Sequence, residues 1–180
     1  MPVEEAIKLT KEQYRKITEK TADIVSHLPF GAQSLKVPTI LCGIIYIWYA
    51  FQLYINHDGR LLPYLLVPAI CFFSVTILRK IINRTRPYDA FLLPPVGKHV
   101  PGKGKSMPSR HAASAVAILM AVLYLRPIPP VAVLMILLTI TVCLLRIFAG
   151  QHYPADVLAG AALSIFLSLI LFPLVPQFIL

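Results

Sequence analysis

The distribution of apolar positions changes character at Val37. Before it, Ile7, Tyr14, Ile17, Ile24, Val25 and Leu28 recur at spacings of three, four and seven, with Lys and Glu between them. That pattern predicts an amphipathic helix, too polar to span a membrane, lying on the headgroups or on the rest of the protein. Beyond it come five continuously apolar runs, each near the roughly 20 residues that cross about 30 Å of hydrocarbon. The first runs from Val37 to Ile55 and closes at the turn signal Asn56-His57-Asp58-Gly59-Arg60. The second begins at Leu61 and ends at Leu78, uncharged throughout, and a polar stretch over residues 79–106 follows. The third begins near Ser109 and ends at Arg126, with its uncharged part only from His111 to Leu125. Pro127, Pro129 and Pro130 open the fourth, which reaches Leu145, because proline is tolerated in the first turn of a helix. The fifth extends from Val157 to the C-terminus, with Pro173 and Pro176 ending its helix. Continuous rather than alternating hydrophobicity predicts helices, not barrel strands. The expected fold is all-α: a polytopic membrane helix bundle of about five transmembrane helices plus the amphipathic helix. Residues 1–36 form the helix and linker, and residues 37–180 the transmembrane domain.

Composition sharpens this. The chain of 180 residues is 57% hydrophobic and only 14% charged, against about 25% charged in soluble domains. Disorder is excluded, because it needs low hydrophobicity and high net charge. A disulfide scaffold is excluded too, since Cys42, Cys71 and Cys143 each sit inside an apolar run. The net charge of +9 would suggest nucleic acid in a soluble protein. Here the cations fall outside the apolar runs, which points to lipid headgroups, phosphate substrates and topology signals, and no nucleic acid. The first apolar run starts too late for a cleavable signal peptide. No Cys/His metal spacing or nucleotide-binding glycine motif occurs, and Gly102-Lys103-Gly104-Lys105 lacks the Walker spacing and a preceding strand. No cofactor and no metal are expected.

Three polar clusters interrupt the apolar chain: residues 79–87, 108–111 and 146–156. With the helices running up and down, all three reach the same end of the bundle, as a site requires. Arg79, Lys80, Arg84, Arg86, Arg110 and Arg146 can ring a small anion, since guanidinium forks match phosphate oxygens. Ser109, at the start of a helix, adds hydroxyl and backbone donors aided by the helix dipole. His111 stands at the same helix start. His152 and Asp156 are four residues apart, so the carboxylate can reach the imidazole. Such a carboxylate fixes the tautomer and makes the opposite ring nitrogen a better nucleophile or base. Two histidines, one with an acidic orienter, inside an arginine ring describe metal-free phosphoryl transfer. The other histidines, His27, His57 and His99, have no such surroundings and read as loop residues. Arg60 and Arg126 read as topology anchors, and Trp48, Tyr46 and Tyr49 as packing or lipid-facing groups.

In order and spacing, the clusters resemble the three signature motifs of the phosphatidic acid phosphatase type 2 superfamily, K-x6-R-P, P-S-G-H and S-R-x5-H-x3-D. The third reads Arg146-Ile-Phe-Ala-Gly-Gln-His152-Tyr-Pro-Ala-Asp156, the second Pro108-Ser109-Arg110-His111, and the first ends in Arg86-Pro87. Three departures stand out. At six intervening residues the family lysine falls on Arg79, with Lys80 one residue too close; Arg110 replaces the glycine; Leu145 replaces the serine. None removes a proton-transfer or nucleophilic group. The resemblance implies that His152 attacks phosphorus to form a phosphohistidine, with Asp156 orienting it. It further implies that His111 protonates the leaving oxygen and then activates water. Arg79 (or Lys80), Arg86, Ser109, Arg110 and Arg146 hold the equatorial oxygens.

The expected function is a metal-independent, membrane-embedded lipid phosphatase acting on a phosphate monoester or pyrophosphate. Phosphatidylglycerophosphate, phosphatidic acid and a polyprenyl pyrophosphate all fit as substrates. Two other readings use the same residues: an anionic-lipid binding or transport protein without chemistry, and a lipid phosphotransferase. The loop over residues 91–105, with Lys98, Lys103 and Lys105, is expected to shape substrate entry. The site end carries 15 of the 17 Lys and Arg, leaving Arg60 and Arg126 opposite. The positive-inside rule therefore predicts a multi-pass membrane protein with its site facing the cytoplasm, whereas the resemblance implies the cell membrane of a bacterium and a site facing outward.

Overall fold

The computed structural model describes residues 3–97 and 104–177. Lys98, His99 and Lys103 of the expected entry loop lie outside these. The described residues contain helices and no strands: α1 (Val3–Ser26), a 3-10 turn (Gly31–Lys36), α2 (Val37–Ile55), α3 (Leu61–Ile82), α4 (Pro87–Phe91), α5 (Arg110–Tyr124), α6 (Pro129–Phe148) and α7 (Pro154–Leu174). Within them α2, α3, α6 and α7 are long and apolar enough to cross a membrane. The fifth apolar helix, α5, has 15 residues and a length of about 22 Å. The protein is an integral membrane helix bundle.

Three helices outlast their apolar runs. α3 continues past Leu78 through Arg79 and Lys80 to Ile82, and α6 passes Leu145 to take in Arg146. Hydropathy stops at the first cation, but a cation in a helix's last turn faces the negative end of the dipole, so the backbone continues. At the other end, α7 starts three residues before Val157, with Pro154 at its first position and Asp156 in its first turn. Arg79, Arg146 and Asp156 thus sit on helix ends, while His152 lies in the bend between α6 and α7. The short helix α4 and the 3-10 turn were not foreseen.

α5 is the axis, packing against α2, α3, α6 and α7. Its inward positions are small: Ala112, Ala113, Ala115, Ala117 and Ala121 are all buried. Small residues let helices approach closely where there is no water to drive them together. Gly160 on α7 serves the same purpose, since a Cβ there would meet the Ser109 carbonyl oxygen at 2.6 Å. On α3, Tyr64, Val67, Cys71 and Val75 form the buried stripe. Tyr64 stacks on Tyr46 with centroids 4.8 Å apart, and each hydroxyl donates to the other's carbonyl at 3.1 Å. Around this core the outward faces stay apolar. On α2, Ile44, Ile47, Trp48 and Phe51 are all exposed, as befits a surface solvated by lipid tails.

α1 docks on the bundle by only part of its apolar stripe. Thr18 and Val25 are buried and Tyr14 is half-buried, whereas Ile17, Ile24 and Leu28 are exposed. Tyr14, Thr18 and Val25 are separated by four and seven residues, so they share a face. Sequence hydropathy discounted Thr18, whose hydroxyl is satisfied within the helix by the Tyr14 carbonyl at 2.9 Å.

Candidate active site

The three clusters converge. Arg79 is buried in the last turn of α3 and donates from Nη2 to the Lys105 carbonyl at 2.5 Å. Lys80, on the next helical position, is exposed. Arg86 Nε donates to the Gly104 carbonyl at 3.1 Å, and the Ser106 amide donates to the Arg84 carbonyl at 2.8 Å. These bonds fasten the approach to α5 along the exit from α3, although 18 to 26 residues separate the partners in sequence.

Asp156 is fully buried, and each of its oxygens is engaged. Oδ1 accepts from Arg84 Nη1 at 2.9 Å. Oδ2 accepts from the Tyr153 amide at 3.0 Å, the carboxylate half of a capping box, and from the Ser106 hydroxyl. His152 Nδ1 lies 3.7 Å from the same Oδ2 and 3.5 Å from Ser106 Oγ. The ring is thereby oriented through Nδ1, which leaves Nε2 as the nitrogen directed away from the carboxylate. His152 is itself buried, and burial pushes its pKa below the usual imidazole value; the Asp156 hydrogen bond opposes this, while Arg86 and Arg79 add to it. The imidazole is neutral at neutral pH.

A second group of side chains is differently placed. Ser109, the N-cap of α5, is fully buried, yet its hydroxyl has no partner and caps nothing. Its amide donates to the Asp156 carbonyl at 2.8 Å, which ties α5 to α7. Arg146 is held through Nη1 by Gln151 Oε1 at 2.8 Å, while its buried Nε has no partner. His111, the second residue of α5, is within electrostatic reach of Arg146, His152, Arg110 and Arg79. Arg110 is exposed, with its guanidinium 5.7 Å from the Phe72 ring centroid. His111 and Arg110 stand together at a cavity of about 380 Å³ whose walls include Thr39, Cys42, Phe72 and Ile118. Among the described residues no three His, Cys, Asp or Glu side chains gather as a metal site would require.

The structure therefore brings His152, Asp156, Arg79, Arg86, Ser109, Arg146 and His111 to one end of the bundle. It leaves Lys80 outside and turns Arg110 toward the cavity. Two residues were missed in the sequence as parts of this machinery. Ser106 appeared there only as the end of a polar stretch, and Arg84 only as one member of a ring. Both bind Asp156, across 50 and 72 residues of chain, so no local periodicity marks them.

The protein is thus a membrane helix bundle with a buried imidazole–carboxylate pair and several arginines gathered at one end. The sequence match gives the family: residues 60–179 fit the model of the PAP2 superfamily, and the chain belongs to it. No curated relative matches in sequence. Among solved structures, Aquifex aeolicus LpxE superposes with a TM-score of 0.66 at 24% identity, covering 90% of this chain and 93% of that one. A PAP2-type phosphatidylglycerolphosphate phosphatase from Bacillus subtilis superposes with a TM-score of 0.57 at 19% identity, covering 94% and 86%. At these identities the likeness is one of fold.

Proposed function

We propose that the protein is a metal-independent lipid phosphatase that works through a phosphohistidine on His152. The observation that carries this is that two buried donors of the polar clusters, Ser109 Oγ and Arg146 Nε, have no partner, while the carboxylate that orients His152 is fully engaged. Buried polar groups are ordinarily satisfied, and a tetrahedral oxyanion between them supplies what they lack. Arg79, Arg86 and the first amides of α5 complete its surroundings, and Arg79 rather than Lys80 takes the first-motif role. The two solved relatives include a phosphatase of a phosphorylated glycerolipid.

In the first step His152 Nε2 attacks phosphorus, the bond to the lipid oxygen breaks, and His111 gives that oxygen a proton. In the second, His111 takes a proton from water, whose oxygen displaces His152 and releases inorganic phosphate. Charge accumulating on the equatorial oxygens is met by guanidinium groups already in place, which is where such sites gain most of their rate. The cavity beside His111 receives the part of the lipid next to the leaving oxygen, and its apolar walls favour glycerolipid or prenyl chains over soluble phosphates. Phosphatidylglycerophosphate, phosphatidic acid and polyprenyl pyrophosphate are the substrates to compare.

The decisive experiment is phosphate release by the detergent-purified protein over those three lipids, with and without EDTA, beside His152→Ala. Release that resists EDTA and disappears in the variant is expected. Lipid binding that survives in the variant, with no release from the wild type, would overturn the enzyme in favour of a binding or transport protein. Transfer to an added alcohol in place of water would make it a phosphotransferase.

The site faces the cytoplasm in this reading. α1 packs on the α6–α7 turn through Tyr14 and Gly150, so the cations of α1 join those of the site at one end. A single cysteine at Lys16, an exposed position, should resist membrane-impermeant maleimide in intact cells. Labelling there would place the site outside.

A further inference from the structure

α1 touches the rest of the molecule at the turn that carries His152. The Tyr14 hydroxyl donates to the Gly150 carbonyl at 2.8 Å. Its ring lies 5.2 Å from Phe91 in α4, and Phe91 meets Tyr153 edge-on at 6.3 Å. Tyr153 in turn stacks under Arg84, whose guanidinium carbon is 4.2 Å from the ring centroid and which grips Asp156. The same turn is held from a second side: the Val96 amide donates to the Ala149 carbonyl at 3.0 Å, and Val25 of α1 packs against Val96 and Ala149.

Gly150 is shaped for this contact. Its φ of +69° lies in the left-handed region, and a Cβ would fall 2.3 Å from Tyr14 Oη and 2.6 Å from Thr18 Cγ2. Burial pushes the Tyr14 phenol far above its ordinary value, so it remains an O–H donor throughout the working pH range. Thr18 is buried at the same spot with its hydroxyl satisfied inside α1. The contact is a fitted joint between a surface helix and a reactive turn.

We infer that Tyr14 is a positioning residue for phosphoryl transfer: by holding the 149–153 turn, α1 sets the aim of the His152 imidazole. The inference rests on the proposed phosphatase reading. Tyr14 touches neither substrate nor reacting atoms, and it acts through the backbone of Gly150 and through the Phe91–Tyr153–Arg84 contacts. Misplacing a reactive group by about 1 Å can cost about 100-fold in rate, so loosening one anchor of the turn should be visible in turnover and not in substrate affinity.

The test is steady-state kinetics of full-length Tyr14→Phe, Tyr14→Ala and Gly150→Ala on the best lipid substrate, with melting temperatures measured in the same detergent. Tyr14→Phe keeps the ring and loses the hydrogen bond; kcat should fall about tenfold with KM within about twofold. Tyr14→Ala should fall further, and Phe at this position should recover part of that loss. Gly150→Ala combined with Tyr14→Phe should lose less than the product of the two single effects, because both act on one joint. An active wild type with unchanged kcat in Tyr14→Phe overturns the inference. So does a loss of folded protein whose remaining fraction turns over at the wild-type rate. A wild type that releases no phosphate from any lipid overturns the phosphatase reading, and this inference with it.

Discussion

The polar groups around His152 fall into two sets built on opposite terms. In one, Asp156 has an arginine on one oxygen and a hydroxyl and an amide on the other, and the Nδ1 edge of His152 faces the same carboxylate. In the other, the Ser109 hydroxyl and the Arg146 Nε are buried without partners. The first is complete by itself and resembles the interior of any folded protein. On the proposed reading the second is completed by a bound anion. That reading separates residues that hold the site together from residues that hold the substrate, and substitutions should divide along the same line.

The largest effect is expected at the junction of the two sets. Asp156→Asn keeps the shape and removes the charge that orients His152, and turnover should fall by about 10²–10⁴-fold in the phosphate-release assay. Melting temperature should fall as well, because Arg84 loses its counter-ion. The Arg84 side chain is 38% exposed, so water compensates for part of that loss. Next comes a matched pair of serines. Ser109→Ala removes a donor to the anion and should lower kcat/KM by about 100-fold while leaving the melting temperature unchanged or slightly raised. Ser106→Ala leaves a buried carboxylate oxygen short of a donor and should reduce stability by about 1–3 kcal/mol, read as a lower melting temperature. If Ser109→Ala destabilised the fold and Ser106→Ala did not, the division into two sets would collapse.

A smaller effect concerns pH. In the proposed mechanism the His152 nucleophile must be neutral, and burial lowers its folded-state pKa, with Arg86 and Arg79 adding to the shift against the Asp156 hydrogen bond. The acid limb of kcat/KM should therefore lie below about 6.5, the ordinary imidazole value. Arg86→Gln removes one of the charges holding it down, so the limb should move toward higher pH. The stability sign follows from the same shift. Below about pH 6.5 the unfolded chain takes up a proton at this histidine that the folded chain resists, so stability falls as pH drops through that value. The smallest effect is expected at Lys80, exposed beside the buried Arg79. Lys80→Ala should change kcat/KM by less than about twofold, and Arg79→Ala by well over tenfold.

Much of this molecule was legible along the chain. The five apolar runs became five helices because, with no water to satisfy backbone groups, a continuous apolar segment has little alternative to helical hydrogen bonding. The His152–Asp156 spacing was equally legible, since one turn of helix or its entry brings such a pair together whatever surrounds it. Sequence reading was weakest at helix ends, where Arg79, Lys80 and Arg146 looked like the close of a segment but belong to its last turn. It was incomplete also on α1, where Tyr14 and Val25 of the apolar stripe dock, but Ile17 and Ile24 are exposed and Thr18, outside the stripe, is buried.

What only the tertiary structure decided are the partnerships between distant residues. Hydropathy and spacing identify the arginines as a class, but not that Arg84 goes to Asp156, Arg79 and Arg86 to the segment before α5, and Arg146 to Gln151. They do not distinguish Ser106, which completes a carboxylate, from Ser109, three residues on, whose hydroxyl has no partner. The physical reason is one of range. Helix formation and amphipathicity depend on neighbours within a turn or two, so the chain records them locally. Which buried donor has a partner depends on segments 50 and 72 residues away, and on a glycine such as Gly160 that lets two helices come close enough to meet.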